Sequence, residues 1–364
     1  MSSYRKQVAD VVRAATVLSP TRCAWLDRAS PELSRKTLRA LDAGSKRAHL
    51  SSQLVQRLYT SFYQRGAPGK DAATPVRPAR SPALIDALSR ANAGTGCWTS
   101  SWIVRAVEGT AVVGEKDGLR LRAREGSWRY LNGAEVHVGA SVDFLETSEQ
   151  LGISPGFYLA QGNLALDSTR GADILRVYWN ATANGAVLLM AALTRELNDL
   201  GLPFRFKVVS HLDCYARCDS AVLYLRQADF AKATPVLERA WLAAAHELEH
   251  AVPALTKQLG PGVAVAENPG EGMSFGWQRC ELIADALIDA YEHGVSDLER
   301  RVDSVAQRFA RNGLCVDAPY LNAGSVDRYR RLDALGTAQR AAPNMTGAPA
   351  PSRATSTGAA RRGA

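Results

Sequence analysis

Apolar residues recur at three- and four-residue spacing through the first part of the chain: Val8, Val11, Val12, Ala15, Val17 and Leu18, then Leu33, Leu38 and Leu41, then Leu54, Leu58 and Phe62. That period predicts helices from residue 4 to about 65. Ser30-Pro31-Glu32 reads as a helix start with proline at the first helical position. Gly66 to Pro82 turns to Gly, Pro, Ala and Arg and reads as a linker, after which Ser81-Pro82 opens a short helix to about Ala93.

Between Trp98 and Val142 the period changes to two. Leu119 and Leu121 alternate with Arg120, Arg122 and Arg124, and Val136 and Val138 alternate with Glu135 and His137, so Glu135 and His137 are expected on one face of a strand. Ile174 to Asn180 reads as a strand with Arg176, Tyr178 and Asn180 on one face, followed by a helix from Ala186 to Leu200 that Gly201 and Pro203 end. A helix is expected from about Thr234 to His250, a long Gly- and Pro-rich loop from Pro261 to Gly276, and a helix to about Tyr291 that sets Arg279 near its N-terminus. Ser296 and Glu299 form a capping box for the last helix. The order of strands and helices predicts an α+β fold with a mixed or antiparallel sheet, flanking helices and an N-terminal helical region.

The richest chemistry lies between Leu202 and Leu225. Two strands, Phe204 to Val209 and Ala221 to Leu225, carry Lys207 and Tyr224, and the loop between them presents Arg217. Burying a lysine disfavours its charged form and lowers its pKa, which makes Lys207 a candidate general base. Arg217 offers a planar donor fork suited to phosphate, and the Tyr224 hydroxyl is placed to orient the base or its substrate. The competing reading is a lysine snorkelling from an edge strand beside a core tyrosine.

Composition narrows the function classes. The 364 residues are 46% hydrophobic and 22% charged, an ordinary globular balance with length for a real core. The formal charge of +8 falls when the tail is set aside, because Arg340, Arg353, Arg361 and Arg362 stand there with no acid after Thr337. Mild basicity suits an anionic or acidic-peptide partner, and with no aromatic-basic repeat neither nucleic acid nor, lacking a long apolar run, a membrane is expected. No signal-peptide pattern opens the chain, and a cytoplasmic location is expected. The six cysteines read as reduced thiols, since Cys214 and Cys218 lack zinc-knuckle spacing and no second pair follows.

One further motif competes. His246-Glu-Leu-Glu-His250 matches H-E-x-x-H, which on a helix would put two imidazoles on one face, with Glu247 as base and Glu281, or Asp285 beyond it, as a downstream ligand. A zinc-dependent hydrolase on His246, His250 and Glu281 is the rival class. Against it stand the charge-rich surroundings and Pro253, which breaks the helix within a turn.

The runs GFYLAQGN, VYWNAT, LPFRFKV, YARCDSAVLYL and PALTKQL through MSFGWQRC carry a resemblance over roughly Tyr59 to Leu287. The chain resembles the HopA-type effector family, in particular its branch of lyases in lanthipeptide and thioamide-peptide biosynthesis, and is more remotely similar to the phosphothreonine lyases. The resemblance implies β-elimination of phosphate from phosphoserine or phosphothreonine in a ribosomal precursor peptide, leaving dehydroalanine or dehydrobutyrine. It also implies a separate kinase-like phosphotransferase, further maturation enzymes such as a cyclase, and no metal or organic cofactor. By position, Lys207 would remove the Cα proton, His137 would protonate the departing phosphate, Tyr224 would assist, and Arg217 and Arg279 would hold the phosphate. The remote lyases carry a lysine two residues before the histidine. Glu135 stands there in this chain, so Arg176 or Lys257 would supply the missing charge. The expected organisation is an N-terminal helical region and linker over 1–80, a phosphopeptide-lyase-like domain over 81–336, and a disordered tail over 337–364. A non-catalytic phosphopeptide- or leader-binding subunit is the remaining alternative.

Overall fold

The computed structural model describes residues 2–69, 81–133, 135–166, 171–270 and 272–332. Most of the expected linker and the whole expected tail lie outside the described residues. Those described form an α+β protein with eight α-helices and three antiparallel sheets.

Helix α1 (Ser3–Ala14) opens the chain, capped by Ser2, whose hydroxyl accepts from the Arg5 amide. The helical period does not continue past it. Strands β1 (Ala15–Ser19), β2 (Arg22–Trp25) and β3 (Arg28–Ala29) form a small meander in place of the expected helix. Val17 and Leu18 therefore belong to a strand, where β-branched and apolar residues fit as well as in a helix. Ser30 starts no helix either. Its amide donates to the Cys23 carbonyl and its hydroxyl accepts from the Cys23 amide, closing the meander. Helices α2 (Arg35–Ala40) and α3 (Ala43–Ser61) follow, capped by Ser34 and Asp42. Helix α4 (Pro82–Ala91) begins at the proline the sequence marks.

A five-stranded sheet comes next: β4 (Cys97–Glu108), β5 (Ala111–Lys116), β6 (Leu119–Ala123), β7 (Trp128–Arg129) and β8 (Ser141–Glu146), in the order β6-β5-β4-β8-β7. It closes on its own small core of Trp102, Val104, Val112, Val142 and Phe144. The expected strand at Val136 to Val138 is absent: this segment is a turn between β7 and β8.

The central sheet has seven strands. They are β9 (Glu149–Gln150), β10 (Phe157–Gln161), β11 (Ile174–Trp179), β12 (Phe204–Val209), β13 (Ala221–Arg226), β14 (Lys257–Gly260) and β15 (Val263–Glu267), in the order β14-β15-β11-β13-β12-β10-β9. Between them run α5 (Ala183–Asp199), capped by Thr182, and α6 (Phe230–Ala244). Leu175, Val177, Trp179, Phe204, Phe206, Leu223 and Leu225 point to one side and join the α5 and α6 residues Leu189, Leu193 and Leu237 in the main core. The same core takes in Val8, Val12, Leu54, Leu58 and Phe62 from α1 and α3 and the residues just after it.

Two elements near the C-terminal end differ from expectation. The Gly- and Pro-rich stretch after Pro261 contains β15, whose five residues are all buried. A strand buried on both faces shows no alternation, which hides it from a period-two search. Helix α7 (Phe275–Glu292) starts earlier than its apolar pattern suggests, and α8 (Leu298–Arg311) is capped by Asp297, not Ser296. No described helix is long and apolar enough to cross a membrane.

Candidate active site

The register of the central sheet brings the cationic residues together. Arg205 lies opposite Tyr224, and Tyr224 opposite Arg176, in one rung across β12, β13 and β11. The next rung runs Leu159, Lys207, Val222 and Tyr178. Cross-strand partners share a face, so Lys207, Tyr224, Arg176 and Arg205 all project away from the α5–α6 core. Arg205 was not among the sequence candidates. Its signal was the alternation Arg205-Phe206-Lys207, which puts both cations on one side of β12.

Lys207 sits with its ammonium 3.9 Å from the centre of the Phe157 ring, and among the described residues it makes no hydrogen bond or ion pair. Burial, and then the guanidiniums of Arg217 and Arg176, pull its pKa down to about 8, with Asp219 acting the other way. The Tyr224 ring lies 5.3 Å from the Arg176 guanidinium, and burial raises its hydroxyl pKa against the pull of Arg176.

Arg217 reaches the same place from the loop after β12, with its guanidinium carbon 5.5 Å from the Phe157 ring centre. It is held by a two-pronged pairing with Asp219, at 2.5 and 2.8 Å, and by the Gln64 side-chain oxygen. The Cys218 amide donates to the Gln64 carbonyl, which ties this loop to the turn after α3. Arg176 is fixed on the far side by the Asn268 side chain and by the Met273 carbonyl at 2.8 Å. Asp219 and Asn268 are the positioning groups that sequence reading missed. Asp219 is two residues from Arg217, but its pairing is set only when the loop folds.

Aromatic rings form the wall on the other side. Tyr63 packs edge-on against Tyr178 and tilted against Phe275 at the start of α7. Gly276 makes this approach possible, because a Cβ there would lie 2.3 Å from the Tyr63 ring. Tyr59 stacks on Tyr63, and its pKa is pushed up to about 12 by burial and by Asp219, with Arg217 and Ser274 opposing. The N-terminus of α7 has no side-chain cap, which leaves backbone donors beside the Arg176 anchor at Met273.

Several expected site residues are placed elsewhere. His137 is exposed on the turn between β7 and β8, edge-on to Tyr130, and belongs to the five-stranded sheet. Lys257 pairs in register with Val265, on the opposite side of the central sheet from Lys207, and is ion-paired with Asp327. Arg279 is fully buried. Its guanidinium donates to the carbonyls of Pro319 and Leu321 and to Gln278, and burial lowers its pKa to about 10. It clamps the segment after α8, and its charge is felt by Tyr178 and Tyr63 at the aromatic wall.

The H-E-x-x-H helix is also absent. Helix α6 stops at Ala244, residues 245–247 form a single 3-10 turn, and Leu248 bridges to Ala181 in extended conformation. His246 and His250 are exposed and share no helix face, Glu247 accepts from the Thr182 hydroxyl, and Glu281 accepts from the Trp277 indole at 2.8 Å. Among the described residues no three His, Cys, Asp or Glu side chains gather as a metal-holding group.

Residues 149–321 match the HopA1 effector protein family. The HopA1 segment starts at β9 and ends at the carbonyl that Arg279 holds, so it contains Lys207, Tyr224, Arg176, Arg205 and Arg217 and leaves out His137. The chain is similar to the solved effector protein from Pseudomonas syringae pv. tomato strain DC3000, with 15% identity, a TM-score of 0.44, and 76% of this chain and 95% of that one covered. It is similar also to the effector from Pseudomonas syringae pv. syringae strain 61, with 16% identity, a TM-score of 0.42, and 80% and 100% covered. No curated protein matches it.

Proposed function

We propose that the protein is a phosphoserine/phosphothreonine lyase that acts on a ribosomal precursor peptide phosphorylated by a separate kinase-like enzyme. The observation that carries this reading is Lys207: an amine with no hydrogen bond among the described residues, on a sheet face with two fixed arginines, its pKa lowered to about 8. Such an amine is partly neutral near pH 7 and can accept a proton from carbon. In the proposed step its Nζ takes the Cα proton, the C–H electron pair becomes the Cα=Cβ bond, and the Cβ–O bond breaks. Phosphate leaves as an anion, its charge balanced by Arg176 and Arg217. Tyr224, between Arg176 and Arg205, is the hydroxyl placed to orient the substrate. His137, on the other sheet, has no part in this scheme.

The test is mass spectrometry of a phosphothreonine- or phosphoserine-containing precursor peptide incubated with the protein and EDTA, with Lys207→Ala as control. Loss of phosphoric acid with the unaltered protein alone is the expected result. Phosphopeptide binding without elimination would instead identify the cationic face as a binding module.

A further inference from the structure

Beside the cationic face lies a pocket of about 360 Å³ that the elimination chemistry does not use. It is lined by Tyr59, Gly272, Met273, Ser274, Trp277 and Glu281. Its size is at the lower end of the range for ligand pockets, about 300–1,000 Å³, with room for one long side chain. Tyr59 and Trp277 form its aromatic corner, ring centres 5.6 Å apart and planes inclined by 59°. Glu281 is the one charged residue among its described lining. One carboxylate oxygen accepts from the Trp277 indole, and among the described residues Glu281 has no ion pair.

We infer that this pocket binds a lysine or arginine side chain of the substrate peptide, close in sequence to the phosphorylated residue. The inference rests on the phosphopeptide reading above for the identity of the ligand, but its chemistry is separate. A cation on an apolar stem satisfies both features of the pocket: the stem and charge lie against aromatic faces, and the charge meets a carboxylate. An apolar side chain would cover Glu281 without pairing it, and an acidic one would be repelled. The pocket also adjoins the phosphate side directly, since Arg176 bonds the Met273 carbonyl on its rim and Tyr59 feels the charge of Arg217. The protein thus presents an anion site and a cation site side by side, which fits a peptide with the opposite order of charges.

The test uses a phosphothreonine-centred peptide library with degenerate positions on both sides, and its non-phosphorylated counterpart. Each is retained on immobilised full-length protein carrying Lys207→Ala to prevent turnover. The expected result is phosphate-dependent retention with lysine and arginine enriched about tenfold at one flanking position. That enrichment is lost in Glu281→Gln and turned towards aspartate and glutamate in Glu281→Lys. Phosphate-dependent retention with no basic preference, or with the same preference in Glu281→Gln, overturns the pocket assignment and leaves the lyase reading standing. A Glu281-dependent basic preference equal in both libraries supports the pocket and overturns the phosphopeptide reading. No retention of either library overturns both.

Discussion

Removing the charge of Arg217 is the sharpest test of what lowers the pKa of Lys207, the proposed base. Lys207 at about 8 leaves about a tenth of its amines neutral at pH 7, about 200-fold more than an ordinary lysine near 10.4. The Lys207 ammonium and the Arg217 guanidinium both lie within 5.5 Å of the centre of one Phe157 ring. At a separation on the order of 8 Å and an effective dielectric constant of about 20, the lost repulsion is worth about 2 kcal/mol. Arg217→Gln also leaves Asp219 unpaired nearby, which acts in the same direction. The variant should therefore titrate Lys207 at roughly 9.5 and cut its neutral fraction at pH 7 by about 30-fold. Reductive ¹³C-methylation of the eight lysines followed by NMR titration reads this directly, with Lys207→Arg identifying the resonance. A Lys207 resonance that titrates near 10 in the unaltered protein, or that does not move upward in Arg217→Gln, would refute the reasoning.

Other consequences are as definite. Because the folded state lowers the Lys207 pKa below its unfolded value, the unfolded chain holds more protons between about pH 8 and 10.5 and stability rises with pH through that window. Lys207→Met should remove that rise and stabilise the protein at neutral pH by about 1–3 kcal/mol while abolishing elimination, as denaturant melts and the mass-spectrometric assay would reveal. Tyr224→Phe should keep the fold and slow elimination by about 10- to 100-fold, measured as single-turnover rates on a saturating phosphopeptide. Gly276→Ala puts a Cβ against the Tyr63 ring and should cost about 1–3 kcal/mol, seen as a lower Tm. His137→Ala, on an exposed turn, should change stability by less than about 0.5 kcal/mol and leave the elimination rate unaltered. A large rate loss there would restore His137 to the reaction.

Local pattern alone determined much of this protein. Period-two runs marked β11, β12 and β13 almost residue for residue, and Gly201 and Pro203 marked the end of α5, because alternation and helix stops act within one turn or strand. The pairing of a strand lysine with a loop arginine and a strand tyrosine was legible for the same reason: Lys207, Arg217 and Tyr224 lie within one hairpin. Tertiary structure decided what depends on partners far along the chain. Arg176 meets Tyr224 only through the β11–β13 register, and Arg217 is aimed by Gln64 from the turn after α3. The last turn of the expected HELEH helix is lost because Leu248 bridges to Ala181 and the Glu247 carbonyl accepts from the Thr182 amide. Those long-range bonds outweigh a weak local helix preference. Lys257 has the right charge but is drawn away by Asp327, and Arg279 is held by the 319–321 carbonyls. Residue type and spacing thus marked the candidate residues. Which cations share a face followed from strand register and packing, which no window along the sequence contains.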